Sequence, residues 1–180
     1  MPNHDRFECQ TAIDSDAILQ FVNLLLPRDI VEAVLNDKKT KNARVAKCDG
    51  SEFFLELPSM NADFPAGKII LKLGDSGFYN KRTKSLEGAY GLRHIWDKHR
   101  VEIGATSAED IVIFLESILL AGAEVLIDPK KGQNKAIVVE SGTGMMILEL
   151  KKPNGEDPYY SIITAYDRKS HPGTKLHTLI

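Results

Sequence analysis

Residues 124–166 decide the fold and read EVLIDPKKGQNKAIVVESGTGMMILELKKPNGEDPYYSIITAY. The stretch contains four runs that are rich in β-branched and aromatic residues: EVLID (124–128), KAIVVE (135–140), MMILEL (145–150) and YYSIITAY (159–166). Such runs are typical of strands. Gly, Pro, Asn and Ser occupy the short segments between them, which have the lengths of hairpin turns. Successive strands joined by short turns predict an antiparallel β-meander.

Two helices are predicted directly before the meander. A short helix covers about Ala89–Arg100, and a longer one covers Ala108–Leu120, where apolar residues recur at helical spacing. Ser107 is the expected N-cap of the longer helix, Asp110 completes the capping pattern, and Gly122 is the expected C-cap. Helices packed on one face of an antiparallel meander form an α+β architecture.

The first part of the chain is predicted to add N-terminal helices and short strands. Asp16–Leu26 and the apolar positions of 30–35 have helical spacing, and Gly74–Glu87 has the composition of a loop. Residues 1–66 contain no motif of a functional site. They are interpreted either as an entry module that precedes a domain of residues 67–180, or as elements that complete the same core. The short strands expected in this part are Arg44–Cys48, Phe53–Leu57 and Lys68–Leu73.

The composition is that of a globular protein with a nearly balanced charge. Of the 180 residues, 43% are hydrophobic and 27% are charged. No uninterrupted apolar stretch is long enough to span a bilayer. The net charge of −2 argues against a protein that coats nucleic acid, because phosphate binding needs a basic surface. Basic residues nevertheless cluster in the second half, as in RHIWDKHR (93–100) and DRKSHPGTK (167–175), and such local patches can steer a polyanion.

A metal site is not expected from the sequence. The two cysteines, Cys9 and Cys48, are isolated, so they cannot form a tetrahedral zinc site alone, and reduced thiols are the simpler interpretation. His94 and His99 lie five residues apart in GLRHIWDKHR (91–100), which places them about 140° apart on a regular helix. Histidine pairs that bind zinc from one helix lie four apart on the same face. The sequence therefore predicts chemistry without a metal or another cofactor.

The segment 91–100 is the strongest candidate for a functional site. His99 continues the apolar stripe that faces the sheet, whereas His94 lies on a polar face of the helix with Lys98. A single histidine on a helix surface is usually solvated and has no function. This segment is a candidate because several basic side chains lie close to its two histidines. The residues predicted to act together are His94, His99 and Lys98 on the helix and Thr164 and Tyr166 on the last strand of the meander.

These residue types suit the cleavage of RNA without a metal. The reaction needs a base for the 2′-hydroxyl and an acid for the departing 5′-oxygen, and histidine can serve in both proton transfers. Cations and hydroxyls can stabilise the charge that develops on the phosphorus oxygens. Thr164 and Tyr166 lie two residues apart and share one face of a regular strand, whereas Ser161 is expected on the opposite face.

The run G-L-x-H-I-x-x-K-H (91–99), followed by a helix, a meander and a last strand that reads I-I-T-A-Y (162–166), resembles the barnase–EndoU–colicin–RelE (BECR) superfamily of ribonuclease toxins. The similarity covers about residues 67–180. It is closest to members found in phage head proteins and in the C-terminal tips of contact-dependent growth inhibition toxins. It implies a BECR-like nuclease fold, a catalytic histidine matching His94 or His99, and partners matching Thr164 and Tyr166.

The chain also departs from the pattern of that superfamily. We assign no glutamate to the base role that barnase-like members use. A pI near 6.2 is low for a ribonuclease and suggests a narrow target such as tRNA. The residues predicted to contact the substrate are Arg93, Arg100, Lys135, Lys169 and His171.

The resemblance implies RNA as the substrate and a cognate immunity protein as a partner. It also implies action in the bacterial cytoplasm, with secretion or delivery as part of a larger protein. The alternative interpretation is a binding protein without catalysis, such as an immunity or phage accessory domain, which the acidic pI favours.

Overall fold

The computed structural model describes residues 24–127, 137–168 and 170–180. Within these ranges the chain forms three α-helices, one short 3₁₀ turn and eleven strands. In chain order they are β1 (Leu24–Leu25), the 3₁₀ turn (Pro27–Asp29), α1 (Glu32–Asn36), β2 (Arg44–Val45), β3 (Glu56–Leu57), β4 (Gly67–Lys72), β5 (Phe78–Asn80), β6 (Ser85–Glu87), α2 (Gly91–Ile103), α3 (Ala108–Ile118), β7 (Glu124–Ile127), β8 (Ile137–Glu140), β9 (Met145–Lys151), β10 (Tyr159–Tyr166) and β11 (Thr174–Thr178).

Most of the strands belong to one mixed sheet. Its order is β1-β2-β4-β10-β9-β8-β7-β11, and β3 pairs with β4 beside β2. The strands β7, β8, β9 and β10 are antiparallel neighbours, which confirms the predicted meander. The pairs β1–β2 and β4–β10 are parallel, so the whole sheet is not antiparallel. With its helices, the protein has the predicted α+β class.

Both faces of the sheet carry apolar side chains. The first, which we call the helix face, carries alternate residues of the meander, such as Val139 and Met146, that belong to the same buried cluster as the apolar side chains of α2 and α3. The opposite face, which we call the second face, carries a smaller apolar cluster. That cluster consists of Leu126, Val138, Met145 and Ile147, with Tyr166 packed against it.

The helix α3, which has 11 residues and is shorter than α2 with 13, follows its sequence signals at the N-terminus. Ser107 is the N-cap, and it forms the expected capping box with Asp110. The C-terminus differs from the prediction, because the helix ends earlier and Leu119 is the C-cap. Gly122, with φ +92°, instead lies in the following turn, where its N–H donates to the carbonyl of Leu179 at 2.8 Å.

The helix α2, which has 13 residues, begins beside the end of β4. Gly91 has φ +75°, and a Cβ atom at this position would lie 2.4 Å from the Lys72 carbonyl oxygen, so only glycine fits. The Arg93 N–H then donates to the carbonyl of Leu73 at 2.9 Å. Because β4 pairs with β10 only as far as Ser161, the C-terminal half of β10 is free to pack against α2. This junction holds the candidate site.

Three segments differ from the sequence-based prediction. Leu24–Leu25 form a strand rather than the end of a helix, and residues 16–23 lie outside the described residues. The predicted loop Gly74–Glu87 contains the hairpin β5–β6. The C-terminal segment forms β11, which is antiparallel to β7. Two of these strands, β1 and β11, pair with partners far along the chain, which no local pattern indicates.

The described part of residues 1–66 shares its core with the rest of the protein. Leu25, Leu35, Phe54 and Phe64 belong to the same apolar cluster as the buried side chains of α2 and α3. The strands β2 and β3 also pair with β4. The boundary predicted after residue 66 therefore does not separate two cores. Among the described helices, none is both long and apolar enough to cross a membrane.

Candidate active site

Three aromatic side chains form a line at the junction of α2 with the end of β10. The ring centroids of His94 and His99 lie 5.4 Å apart, with an angle of 87° between the ring planes. The centroids of His99 and Tyr166 are also 5.4 Å apart, at an angle of 45°. His99 therefore contacts both of the other rings, and we call the set His94–His99–Tyr166 the ring series. The structure brings together two residues of the helix and one of the last meander strand.

The contact between the histidines corrects the expectation that they point apart. Helical spacing separates their Cα positions by about 140°, and Ile95, Lys98 and Glu102 fall within that arc. Both rings turn into the arc, where His99 also meets Tyr166. A spacing of five residues does not prevent joint action when two long side chains turn towards the same neighbouring strand.

His94 is more enclosed than a residue on a solvated polar face, which corrects the second expectation about it. Its Nδ1 atom is buried and has no hydrogen-bond partner among the described residues. The pKa of His94 is lowered to about 4, mainly by burial and in part by the nearby His99 and Lys98, against an opposing effect of Asp97. The ring is therefore neutral at pH 7, and one of its nitrogens can accept a proton.

Glu102 is a candidate functional residue that the sequence analysis missed. Its Oε1 lies 2.8 Å from Nδ1 of His99. An ionised carboxylate only accepts hydrogen bonds, so Nδ1 carries the hydrogen and Nε2 is left for proton transfer. A carboxylate on Nδ1 also orients the ring and stabilises positive charge on it. The signal was present in the i,i+3 spacing of His99 and Glu102 on a predicted helix.

A bulge in β10 aligns its polar side chains on the second face of the sheet. The register between β9 and β10 shifts around Ile163, which is the extra residue. Ser161, Thr164 and Tyr166 consequently pair with three alternate residues of β9 and point to one face. The expectation that Ser161 lies on the opposite face is therefore wrong. The Thr164 Oγ1 atom is buried without a hydrogen-bond partner among the described residues.

Lys98 and Arg100 are placed differently relative to the rings. Lys98 lies in the arc between the histidines, its side chain is 48% exposed, and its Nζ lies 3.1 Å from Oδ2 of Asp97. A flexible, exposed amine at this position can reach a phosphate beside the rings. Arg100 turns towards Trp96: its Nη1 donates to the Trp96 carbonyl at 3.0 Å, and its guanidinium lies 4.8 Å from the centre of the Trp96 ring. Arg100 therefore points away from the ring series.

Arg93 is a buried structural residue, which corrects its predicted role in substrate binding. The side chain is only 1% exposed. Its Nε and Nη2 both donate to the Val34 carbonyl, at 3.1 and 2.9 Å. Its Nη1 donates to the carbonyls of Lys39 and Gly74, at 2.6 and 3.0 Å. The guanidinium thus ties α2 to α1, to the segment that follows α1 and to the end of β4, and four of its five N–H groups are used in these bonds. Its burial keeps it from a substrate.

The structure places the predicted substrate residue His171 against β8. Its N–H donates to the carboxylate of Glu140 on β8 at 2.6 Å. Because β9 lies between β8 and β10, about 10 Å separates the backbone at Glu140 from the strand that carries Tyr166. The other two residues predicted to contact the substrate, Lys135 and Lys169, lie outside the described residues.

The junction offers acid–base chemistry from protein side chains. Within residues 24–127, 137–168 and 170–180, no group of three or more His, Cys, Asp or Glu side chains could hold a metal ion. The two imidazoles in contact repel each other when both are charged. A single proton shared between them therefore leaves one ring as a base and the other as an acid. The Glu102 carboxylate lies on Nδ1 of His99, whereas enclosure lowers the pKa of His94, so the two rings have different environments.

Comparisons with protein families, with curated proteins and with solved structures find no match for this chain. The similarity to BECR toxins therefore rests on the residues of the histidine helix and the last meander strand. A functional assignment depends on the geometry at the junction of α2 and β10.

Proposed function

We propose that this chain is a metal-independent endoribonuclease that acts as a bacterial toxin, with a BECR-like nuclease fold. The observation that carries the proposal is the ring series His94–His99–Tyr166, with the enclosed hydroxyl of Thr164 two residues before Tyr166 on the same strand face. The two histidines have different environments, one neutral and enclosed, the other bonded to a carboxylate. Cleavage of RNA by its own 2′-hydroxyl needs this combination of a base and an acid.

In the proposed reaction His94 is the base and His99 is the acid. The neutral His94 ring accepts the proton of a 2′-hydroxyl, and the 2′-oxygen attacks the neighbouring phosphorus. The bond from phosphorus to the 5′-oxygen breaks, and the protonated His99 ring donates its proton to that oxygen. The products are a 2′,3′-cyclic phosphate and a 5′-hydroxyl, and one proton has moved from His99 to His94 overall.

Three further side chains suit the stabilisation of negative charge on the phosphorane oxygens. Lys98 supplies a cation within the arc between the histidines. The Tyr166 ring lies tilted against that of His99. The Thr164 hydroxyl has no hydrogen-bond partner among the described residues, so it can donate to a substrate oxygen. Donors fixed in an enclosed site stabilise such charge more than donors in open water do.

The toxin part of the proposal is supported by the resemblance of residues 91–99 and 162–166 to the BECR superfamily. It implies delivery into bacterial cytoplasm and inhibition by a cognate immunity protein. The net charge of −2 supports a narrow substrate such as tRNA over general affinity for nucleic acid. The same charge favours the second candidate, a binding protein without catalysis. Toxicity on expression alone distinguishes the two, because only the nuclease depletes RNA.

The experiment that tests the proposal is cleavage of total cellular RNA by the purified protein with excess EDTA. We expect cleavage to persist and the 3′ ends to carry 2′,3′-cyclic phosphate. The His94→Ala variant, prepared in parallel, controls for contaminating ribonuclease. Cleavage that stops on chelation and returns with Mg²⁺ or Zn²⁺ contradicts the mechanism, and no cleavage of any RNA favours the binding protein.

A further inference from the structure

The hairpin β5–β6 stands apart from the main sheet and leaves its aromatic side chains uncovered. Its two strands pair only with each other. Phe78 is 59% exposed and Tyr79 is 62% exposed, while Leu86, directly opposite Tyr79, is 39% exposed. Adjacent residues of a strand point to opposite sides, so Phe78 and Tyr79 present an aromatic ring on each side of the hairpin. Exposed apolar side chains that lie close together mark candidate interaction sites.

The turn of this hairpin is ordered by polar contacts and carries unpaired cations. The Asn80 side chain accepts from the Arg82 N–H and donates to Glu87, both at 2.9 Å. Thr83 Oγ1 donates to the same Glu87 carboxylate at 2.6 Å. The carboxylate is thus engaged within the hairpin. By contrast, no described carboxylate forms an ion pair with the exposed cations of the turn, which are Lys81, Arg82 and Lys84.

The base of the hairpin leads directly to the candidate active site. Backbone hydrogen bonds of 2.9 Å join Asp75 and Tyr90 in both directions and fix the hairpin to the start of α2, one turn before His94. A cavity of about 400 Å³ lies at this base. Its lining includes Tyr90, Lys72, Lys151 and Ser161. Ser161 is on the same strand face as Thr164 and Tyr166, so one wall of the cavity lies on the strand, and on the face of it, that also carries Tyr166.

We propose that the hairpin β5–β6 is an arm that binds single-stranded RNA and guides it along the cavity into the ring series. This inference rests on the proposed ribonuclease function and names the element that holds its substrate. Phe78 and Tyr79 stack on bases, which is tolerant of sequence because every base has a π-face. Lys81, Arg82 and Lys84 contact phosphates. An arm of this kind supplies local affinity for a polyanion in a protein whose net charge is −2.

Two double variants separate the aromatic and the ionic contributions. Binding is measured on an unstructured, fluorescently labelled RNA oligonucleotide, in a His99→Ala background that prevents cleavage. Phe78→Ser with Tyr79→Ser should weaken binding about tenfold or more, since stacking on one aromatic ring contributes about 1–3 kcal/mol per base. Lys81→Gln with Arg82→Gln should lower the slope of log affinity against log salt by about 1.4, or about 0.7 for each cation lost. Lys84 is left in place because its φ is 51°, so a substitution there could also change the conformation of the turn.

The matched control changes two exposed cations elsewhere, Arg28→Gln with Lys38→Gln, and removes the same amount of charge. This control should leave affinity and salt slope close to those of the parent, and thermal melts confirm that every variant is folded. If the hairpin variants bind RNA as the parent does, or if the control loses as much affinity, the proposal that the hairpin binds RNA is contradicted. The proposed ribonuclease function is not affected by that result. If the parent neither binds nor cleaves RNA, the proposed function itself fails. Binding that is lost only in the hairpin variants supports the arm.

Discussion

The helices α2 and α3 follow each other in the chain and pack against the same core, yet they are built differently. In α3, the capping box of Ser107 and Asp110 satisfies the N-terminus, and all the buried side chains are apolar. In α2, the N-cap Tyr90 makes no side-chain capping bond, and the helix begins at a glycine with positive φ. It buries Arg93 completely and encloses a nitrogen of His94 that has no hydrogen-bond partner in the described chain.

We interpret α3 as a helix that stabilises the fold and α2 as a helix that positions the candidate site. Propensity, capping and apolar periodicity agree in α3, which is the mark of a scaffold element. The helix α2 departs from each of these rules once: it begins at a glycine, its N-cap makes no side-chain bond, and it buries an arginine. These departures lie within a few residues of the ring series. Proteins break local rules mainly at functional or strained sites and compensate elsewhere. The Arg93 guanidinium, with its four hydrogen bonds, provides that compensation by fixing the start of α2.

The largest effect is expected from the two histidines of α2. His94→Ala and His99→Ala should each lower the rate of RNA cleavage about 10²–10⁴-fold, because each removes one proton transfer. A uridine 3′-(4-nitrophenyl) phosphate tells the roles apart, since its leaving group departs without protonation. His99→Ala should regain most of its rate on this substrate, and His94→Ala should not. Recovery by the His94 variant instead would reverse the assignment, and parent-like cleavage by both folded variants would remove α2 from the site.

The next largest effect concerns the stability that Arg93 gives to α2. Arg93→Met removes the four hydrogen bonds that the guanidinium donates, in a partly or fully buried setting, to the carbonyls of Val34, Lys39 and Gly74, and we expect a loss of at least about 3 kcal/mol in the free energy of unfolding. Arg100→Met is the matched control on the same helix, because that side chain is partly exposed and bonds one carbonyl. It should cost less than about 1 kcal/mol. Urea denaturation of both variants measures the difference, and equal costs would mean that Arg93 does not anchor the helix.

Local signals were sufficient for the parts of the fold that local rules determine. The alternating apolar residues and short turns of 124–166 predicted the four meander strands, and the Ser107–Asp110 pattern predicted the start of α3. Strands that depend on distant partners were missed, as in Thr174–Thr178, which pairs with β7 about 50 residues earlier. Pairing of this kind leaves no periodicity beyond that of the strand itself, and Leu24–Leu25 is too short to show any.

The candidate site was predictable in its residue types and less so in its geometry. His94, His99 and Tyr166 were selected from the sequence, and the structure brings their rings together, whereas their catalytic roles remain predictions. The bulge at Ile163, which turns Ser161 to the same face as Thr164, is set by pairing with β9 and leaves no local mark. Arg93 was assigned to the substrate as one of a cluster of basic residues. The carbonyls that it binds lie far away along the chain, so no local pattern revealed its structural role. Glu102 could have been found from its spacing to His99.

A smaller effect is expected from the pH dependence of stability that His94 confers on α2. Burial and the nearby His99 lower the pKa of His94 to about 4 in the folded protein, whereas the pKa of a histidine in the unfolded chain is about 6.5. Between these values the unfolded chain binds more protons, so the folded state loses stability as the pH falls from about 6.5 towards 4. His94→Gln removes this loss. Urea midpoints of parent and variant should diverge below pH 6.5 and run in parallel above it, and curves that stay parallel throughout would mean that His94 is solvated.

The smallest effect is expected in α3, where the scaffold interpretation predicts a change of stability without a change of chemistry. Ser107→Ala removes the side-chain oxygen that accepts from the Asp110 N–H at 3.1 Å, and loss of an N-cap costs about 1 kcal/mol. Ser107→Thr keeps an acceptor in place and should cost only a few tenths of that. Because no residue of the ring series lies on α3, kcat and KM for RNA should be those of the parent at a temperature where both variants are folded. A fall in kcat for Ser107→Ala alone would show that the two helices act together, and the contrast between scaffold and site would then no longer hold.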